Sequence, residues 1–125
     1  MNRLRILLAE DEALIAMYLA ETLVAMGHEV CATEATQDGL VAAAARFLPD
    51  LMIVDERLAE GSGVRAVEQI LEQRFIPHVF ASGDRRTLRR LAAGAVVIEK
   101  PYHEAELAQA MAKAMAATAP GRKVS

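Results

Sequence analysis

The 125-residue sequence has no tryptophan, two tyrosines, three phenylalanines and a single cysteine. One thiol cannot close an intramolecular disulfide, so packing alone must hold the core. A chain of this length buries roughly two-thirds of the surface its unfolded form exposes, enough for one domain without staples. We expect a domain over residues 1–117 and a frayed tail over 118–125, which carries Pro120, Gly121 and two basic residues. Positive charge is not in excess either. Lys and Arg number 14 against 17 Asp and Glu, a net charge of -3, which counts against non-specific nucleic-acid binding. No apolar run approaches the roughly 20 residues of a membrane span. The N-terminus, MNRLRILLAEDE, meets acids before it can serve as a signal peptide. A cytoplasmic protein without direct nucleic-acid or membrane contact is expected. Cys31, in an apolar stretch, reads as a small buried hydrophobe in a reducing compartment.

What the sequence does contain is alternation. Residues 4–9 (LRILLA) are nearly all apolar, as in a strand buried on both faces of a parallel sheet, and Glu10, Asp11 and Glu12 close the run. Over 12–26, Leu14, Ile15, Tyr18, Leu19, Thr22, Leu23 and Met26 recur at helical spacing, and Gly27 stands where a helix should stop. A strand at 28–33, an Ala-rich helix at 37–47 ended by Pro49, and a strand at 51–55 (LMIVD) follow. After a Gly-containing loop over 58–63, a helix over 64–74 presents Val64, Val67, Ile70 and Leu71 as its apolar face. The remaining elements are a strand at 77–81, a short polar helix at 85–93, a strand at 95–98 and a helix at about 103–117. Five strands alternating with five helices predict an α/β fold with a parallel sheet covered on both faces. The methionines, Met17 and Met26 among them, are expected to fill gaps in its core.

In such sheets ligands sit beyond the carboxyl ends of the strands. Those ends carry Glu10 and Asp11, then Asp55, Ser82, Glu99 and Lys100. Carboxylates gathered from separate segments repel one another unless something positive neutralises them. Lys100 and a divalent cation would do so, and hard oxygen donors suit Mg²⁺ better than zinc. A carboxylate beside Mg²⁺ and an ammonium can attack a phosphoryl group and form an acyl phosphate. Asp55 is the candidate nucleophile, with Ser82 a hydroxyl donor to a phosphoryl oxygen. Alone, Asp55 would read as a strand-end carboxylate capping the next segment. Glu12 reads as a first-turn helix acid, and Glu56 and Glu99 as rim charges. His28, His78 and His103 are too scattered for a metal set, and Gly61 and Gly63 lack the spacing of a phosphate-binding loop.

The ordered set Glu10-Asp11 in LLAEDE, Asp55 in IVDERL, Ser82 in FASGD and Lys100-Pro101 in IEKPY resembles the receiver domain of bacterial two-component response regulators. The resemblance implies a flavodoxin-like, doubly wound five-stranded sheet of order 2-1-3-4-5. It also implies Asp55 as phosphoacceptor, and Mg²⁺ held by Asp11, Asp55 and the Arg57 backbone carbonyl, with Glu10 acting partly through water. A histidine kinase or phosphotransfer protein would supply the phosphoryl group. Receivers usually carry a switch Tyr or Phe three residues before the lysine; Val97 stands here, so any signal from Ser82 would travel through backbone or loop rearrangement. The stretch PHVFASG is instead similar to a receiver subgroup marked by Phe-Ala-Thr-Gly, with Ser82 in place of Thr. The segment from Ser82 to Lys100 is about one helical turn shorter than in typical receivers.

The short fourth helix gathers Arg85, Arg86, Arg89 and Arg90, whose mutual repulsion predicts a marginal, mobile element; the cluster reads equally as a solvated basic face or as a docking face for an acidic partner. Arg57 and Asp84 are expected to form an ion pair across the mouth of the site. The expected function is that of a stand-alone, non-enzymatic phosphoacceptor that signals through its fourth helix, fifth strand and fifth helix, or passes the phosphoryl group on. Two alternatives stand beside it. One is a pseudo-receiver that binds partners without phosphorylation. The other is a metal-dependent phosphohydrolase, which would want a second Asp where Arg57 stands.

Overall fold

A computed structural model describes residues 2–92 and 94–117; the expected tail lies outside them. The elements run β1 (Arg5–Ala9), α1 (Ala13–Ala25), β2 (Glu29–Glu34), α2 (Gln37–Phe47), β3 (Leu51–Asp55), α3 (Gly63–Leu71), β4 (His78–Ser82), α4 (Arg85–Ala92), β5 (Val96–Glu99) and α5 (Glu104–Ala116). All strand pairs are parallel, in the order β2-β1-β3-β4-β5. The expected fold class and strand order are both met.

Because side chains alternate along a strand, each central strand feeds two cores. Ile6, Leu8, Leu51, Ile53 and Val79 pack with Leu19 and Leu23 of α1 and Leu107 and Met111 of α5. Leu7, Met52, Val54 and Phe80 face the other way, against Leu40 and Ala44 of α2 and Val67 and Ile70 of α3. Each large side chain removed from water in this way contributes about 1.5–3 kcal/mol, and burial on both faces explains why β1 and β3 read as nearly continuous apolar runs.

Helix boundaries follow local chemistry. Thr36 Oγ1 accepts the Gly39 N–H at 3.0 Å and Ser62 Oγ accepts the Arg65 N–H at 3.2 Å, capping α2 and α3. Gly27, at φ +99°, lets the chain turn out of α1 into β2. Helix α3 ends at Leu71, a few residues before the expected stop.

Three expectations about packing fail. Helix α1 turns Ala16, Leu19 and Leu23 inward, leaving Leu14 and Tyr18 77% and 73% exposed, with Ile15 also exposed. Nearly every residue of this helix is apolar or small, so periodicity alone does not select the face; the small Ala16 allows close approach to the sheet. Met17 is likewise exposed rather than core-filling, whereas Met52 and Met111 are fully buried. Cys31 is half-buried. It lies where the β1–β2 register shifts, and its Sγ donates to the Ile6 carbonyl at 3.4 Å.

Candidate functional site

The sheet register assembles the site. Ala9 pairs with Val54, so the next residues, Glu10 and Asp55, emerge side by side from adjacent strands. Asp55 pairs with Ala81 and Ser82 with Glu99, and the Lys100 N–H donates to the Ser82 carbonyl at 2.9 Å, carrying Lys100 just past the end of β5. The close approach of Gly63 to the Asp55 carbonyl, where a Cβ would overlap the oxygen, lets the β3–α3 loop fold back against the strand end.

Lys100 reaches across the strand ends and donates to Asp55 Oδ2 at 2.6 Å and to Glu10 Oε1 at 3.0 Å. Burial alone would lower the Lys100 pKa, but its hydrogen bonds to the two carboxylates outweigh this and raise it. Burial raises the Glu10 pKa, opposed by the hydrogen bond from Lys100 and one from the Glu12 N–H. Asp11, exposed, completes an acidic triad: one carboxylate oxygen each from Glu10, Asp11 and Asp55 lie within 4.8 Å of one another. This all-oxygen donor set fits Mg²⁺ and lacks the nitrogen or sulfur donors that zinc prefers.

These residues line a pocket of about 410 Å³ together with Glu12, Glu56, Arg57, Gly83 and Asp84. The Arg57 N–H donates to Asp55 Oδ1 at 3.2 Å, which seats this part of the loop against the carboxylate. The expected Arg57–Asp84 ion pair is not formed, although both residues border the same pocket. Asp84 instead turns toward its own helix, where its Oδ1 accepts the Arg86 N–H at 2.9 Å, and the hydrogen bonds of this turn hold its carboxyl below the usual range. Local capping of the α4 start outcompetes a long reach to an exposed guanidinium.

Ser82 is brought to the site but is buried, 1% exposed, and its Oγ donates to Glu56 Oε1 at 3.2 Å. Sequence reasoning missed this contact by taking Glu56 as a rim charge; only the fold brings residues 26 apart together. Glu99 is exposed and paired with Arg85 at 3.1 Å; it does not line this pocket but sits with Arg85, Leu88 and Arg89 beside α4. The other arginines of α4, Arg86, Arg89 and Arg90, are exposed, while Thr87 and Leu88 face inward. Val97 is partly buried against the core that holds Phe80. A second feature was not foreseen: Ile15, Tyr18, Leu19, Thr22, Tyr102 and Leu107 line an apolar groove between α1 and α5 that reaches Lys100.

Comparison with known proteins agrees with this arrangement. The family model for the response regulator receiver domain matches residues 6–112. The chain is 33% identical over 111 residues to the transcriptional regulatory protein PdtaR of Mycobacterium tuberculosis, covering 86% of the chain and 54% of that protein. It is 32% identical over 114 residues to the phyllosphere-induced regulator PhyR of Methylorubrum extorquens, covering 88% of the chain and 43% of the regulator. The chain thus spans about half the length of these regulators. A solution NMR structure of the PhyR receiver domain from Erythrobacter litoralis superposes with a TM-score of 0.83 at 30% identity, covering 99% of this chain and 98% of that one. Among the described residues, no helix is long and apolar enough to cross a membrane.

Proposed function

The chain belongs to the response regulator receiver domain family, and from that membership we propose that it is a phosphorelay component that accepts a phosphoryl group on Asp55. The observation that carries the reading is the Asp55 carboxylate held at 2.6 Å by Lys100 beside the carboxylates of Glu10 and Asp11. In the proposed step an Asp55 oxygen attacks the phosphorus of a phosphohistidine. An O–P bond forms, the P–N bond breaks, and its electron pair stays on the imidazole, which takes up a proton. Hydrolysis later cleaves the acyl phosphate, returning the carboxylate and inorganic phosphate.

Glu10, Asp11, Asp55 and the Arg57 carbonyl would hold Mg²⁺, which when bound supplies positive charge for the phosphoryl oxygens. Lys100 supplies a second positive charge at the same place, and Asp11, being exposed, keeps the metal position open to solvent. The donor, a histidine kinase or phosphotransfer protein, docks over the strand ends, where the apolar groove between α1 and α5 adjoins Lys100. The downstream partner is a protein that meets α4, β5 and α5, where the exposed arginines favour an acidic surface. The protein signals by contact, or passes the phosphoryl group on, and is not an enzyme with a separate substrate.

Incubation with phosphoramidate or acetyl phosphate and Mg²⁺, followed by intact-mass measurement, tests the reading. The wild type should gain one phosphoryl group and Asp55→Asn none. No gain with any donor would instead leave a binding module that works without phosphorylation.

A further inference from the structure

The hydroxyl of Ser82 carries one proton, and in the structure that proton is engaged. Its nearest acceptor is Glu56 Oε1 at 3.2 Å, ahead of the Asp84 carbonyl at 3.5 Å, which is at the limit for a hydrogen bond. The oxygen meanwhile accepts the Asp84 N–H at 3.0 Å. Glu56, for its part, has no cationic side chain within 4 Å among the described residues. Its backbone is fixed on two sides. The N–H donates to the Ala81 carbonyl at 3.1 Å and the C=O accepts the Gly63 N–H at 3.0 Å, so only its side chain is free to rearrange. Glu56 lines the pocket around Asp55, whereas buried Ser82 is not among the lining residues.

We propose that Glu56 is a positioning residue that holds the Ser82 hydroxyl away from the phosphoryl group on Asp55, so that Ser82 engages that group only after the Ser82–Glu56 hydrogen bond breaks. The inference rests on the reading of Asp55 as phosphoacceptor and adds a restraint to it. A phosphoryl group in the pocket faces the Glu56 carboxylate, which lines it, whereas buried Ser82 does not. To receive the Ser82 proton it must displace a charge-assisted hydrogen bond, and it must also tolerate a like charge nearby. Both effects disfavour the engaged state, and only the first passes through Ser82. That difference separates a positioning role from that of a simple negative charge at the rim.

The test uses the full chain and fluoroberyllate with Mg²⁺ as a phosphoryl stand-in, with affinity read by calorimetry and the bound species by fluorine NMR. Glu56→Ala should bind about tenfold more tightly than the wild type, the size of one charge-assisted hydrogen bond. Glu56→Gln, nearly isosteric and checked for folding by circular dichroism, should show a smaller gain in the same direction, since its amide oxygen still accepts but carries no charge. In a Ser82→Ala background the gain from Glu56→Ala should shrink to about threefold or less, because only the repulsion remains to be relieved. Unchanged affinity in both Glu56 variants, or an equal gain with and without Ser82, would overturn the proposal. Failure of the wild type itself to bind fluoroberyllate, with no phosphoryl gain by mass, would instead overturn the reading of Asp55, and the restraint with it.

Discussion

Lys100 Nζ donates to Asp55 Oδ2 at 2.6 Å although 45 residues separate them in the chain. The same ammonium donates to Glu10, so one cation from the end of β5 holds together carboxylates that β1 and β3 bring side by side. Because the Lys100 and Asp55 side chains remain partly exposed, at 25% and 12%, the pair is worth less than a fully buried one. Replacing Lys100 by Met should lower stability in metal-free buffer by about 1–3 kcal/mol, through carboxylate repulsion left without compensation. Mg²⁺ should then raise the melting temperature of Lys100→Met more than that of the wild type, since the metal takes over the neutralisation. Thermal melts with and without Mg²⁺ measure both effects, and an equal response in the two proteins would contradict the charge-balance account.

Gly63 begins α3 where a side chain would overlap the Asp55 carbonyl and crowd Val54. Gly63→Ala should destabilise the fold by about 1–3 kcal/mol, in spite of the better helix propensity of Ala, because backbone rather than a flexible side chain must give way. The displaced end of β3 should also slow phosphoryl gain on Asp55, as measured by intact mass over time.

His78 lies far from the pocket, edge-on to Phe80 with ring centroids 5.3 Å apart, its Nδ1 2.8 Å from the Ile76 carbonyl. Burial lowers its pKa below the ordinary value of 6.5, against the hydrogen bond to Ile76, which raises it. As pH falls, the unfolded chain therefore takes up this proton before the folded one does. The contribution is full above about pH 6.5 and declines as pH falls toward the lowered folded-state value. Urea denaturation between pH 7.5 and 5, in steps of about half a unit, should show a shallower loss of stability for His78→Asn than for the wild type. An unchanged slope would contradict a lowered pKa for this half-buried imidazole.

Leu14 and Tyr18 are exposed on α1, and Tyr18 borders the groove that reaches Lys100. Leu14→Asp and Tyr18→Ala should each change stability by no more than about 0.5 kcal/mol, since neither side chain packs in the core. Both should slow transfer from a phosphorylated histidine-containing protein while leaving the reaction with phosphoramidate unaffected. Equal slowing with both donors would place their effect on the site rather than on docking.

Much of the fold is legible in the residues because its central strands are buried on both faces. LRILLA and LMIVD can hardly be anything else, and the observed bounds of α2 and β3 coincide with those expected. Strand ends are legible for the same reason: Glu10, Asp55 and Ser82 each stand where an apolar run stops and Lys100 one residue past such a stop, so their types and order point to one edge of a parallel sheet. Helix faces were less legible. In α1 apolar residues lie all round the helix, and docking against the sheet, not sequence period, decided that Ala16 goes in and that Leu14 and Tyr18 stay out. Charge pairing was legible only in part: Lys100 stands where the carboxylates need a cation and pairs with Glu10 and Asp55, but the other pairs were not readable. Arg57 and Asp84 looked like partners by sign, yet a cap on α4 takes Asp84, and Glu56, which looked like rim, meets Ser82. Composition and periodicity determine which segments are buried, because burial depends on one residue at a time. Which polar groups share a proton or a charge depends on register and loop path to within an ångström, and only the tertiary structure decides that.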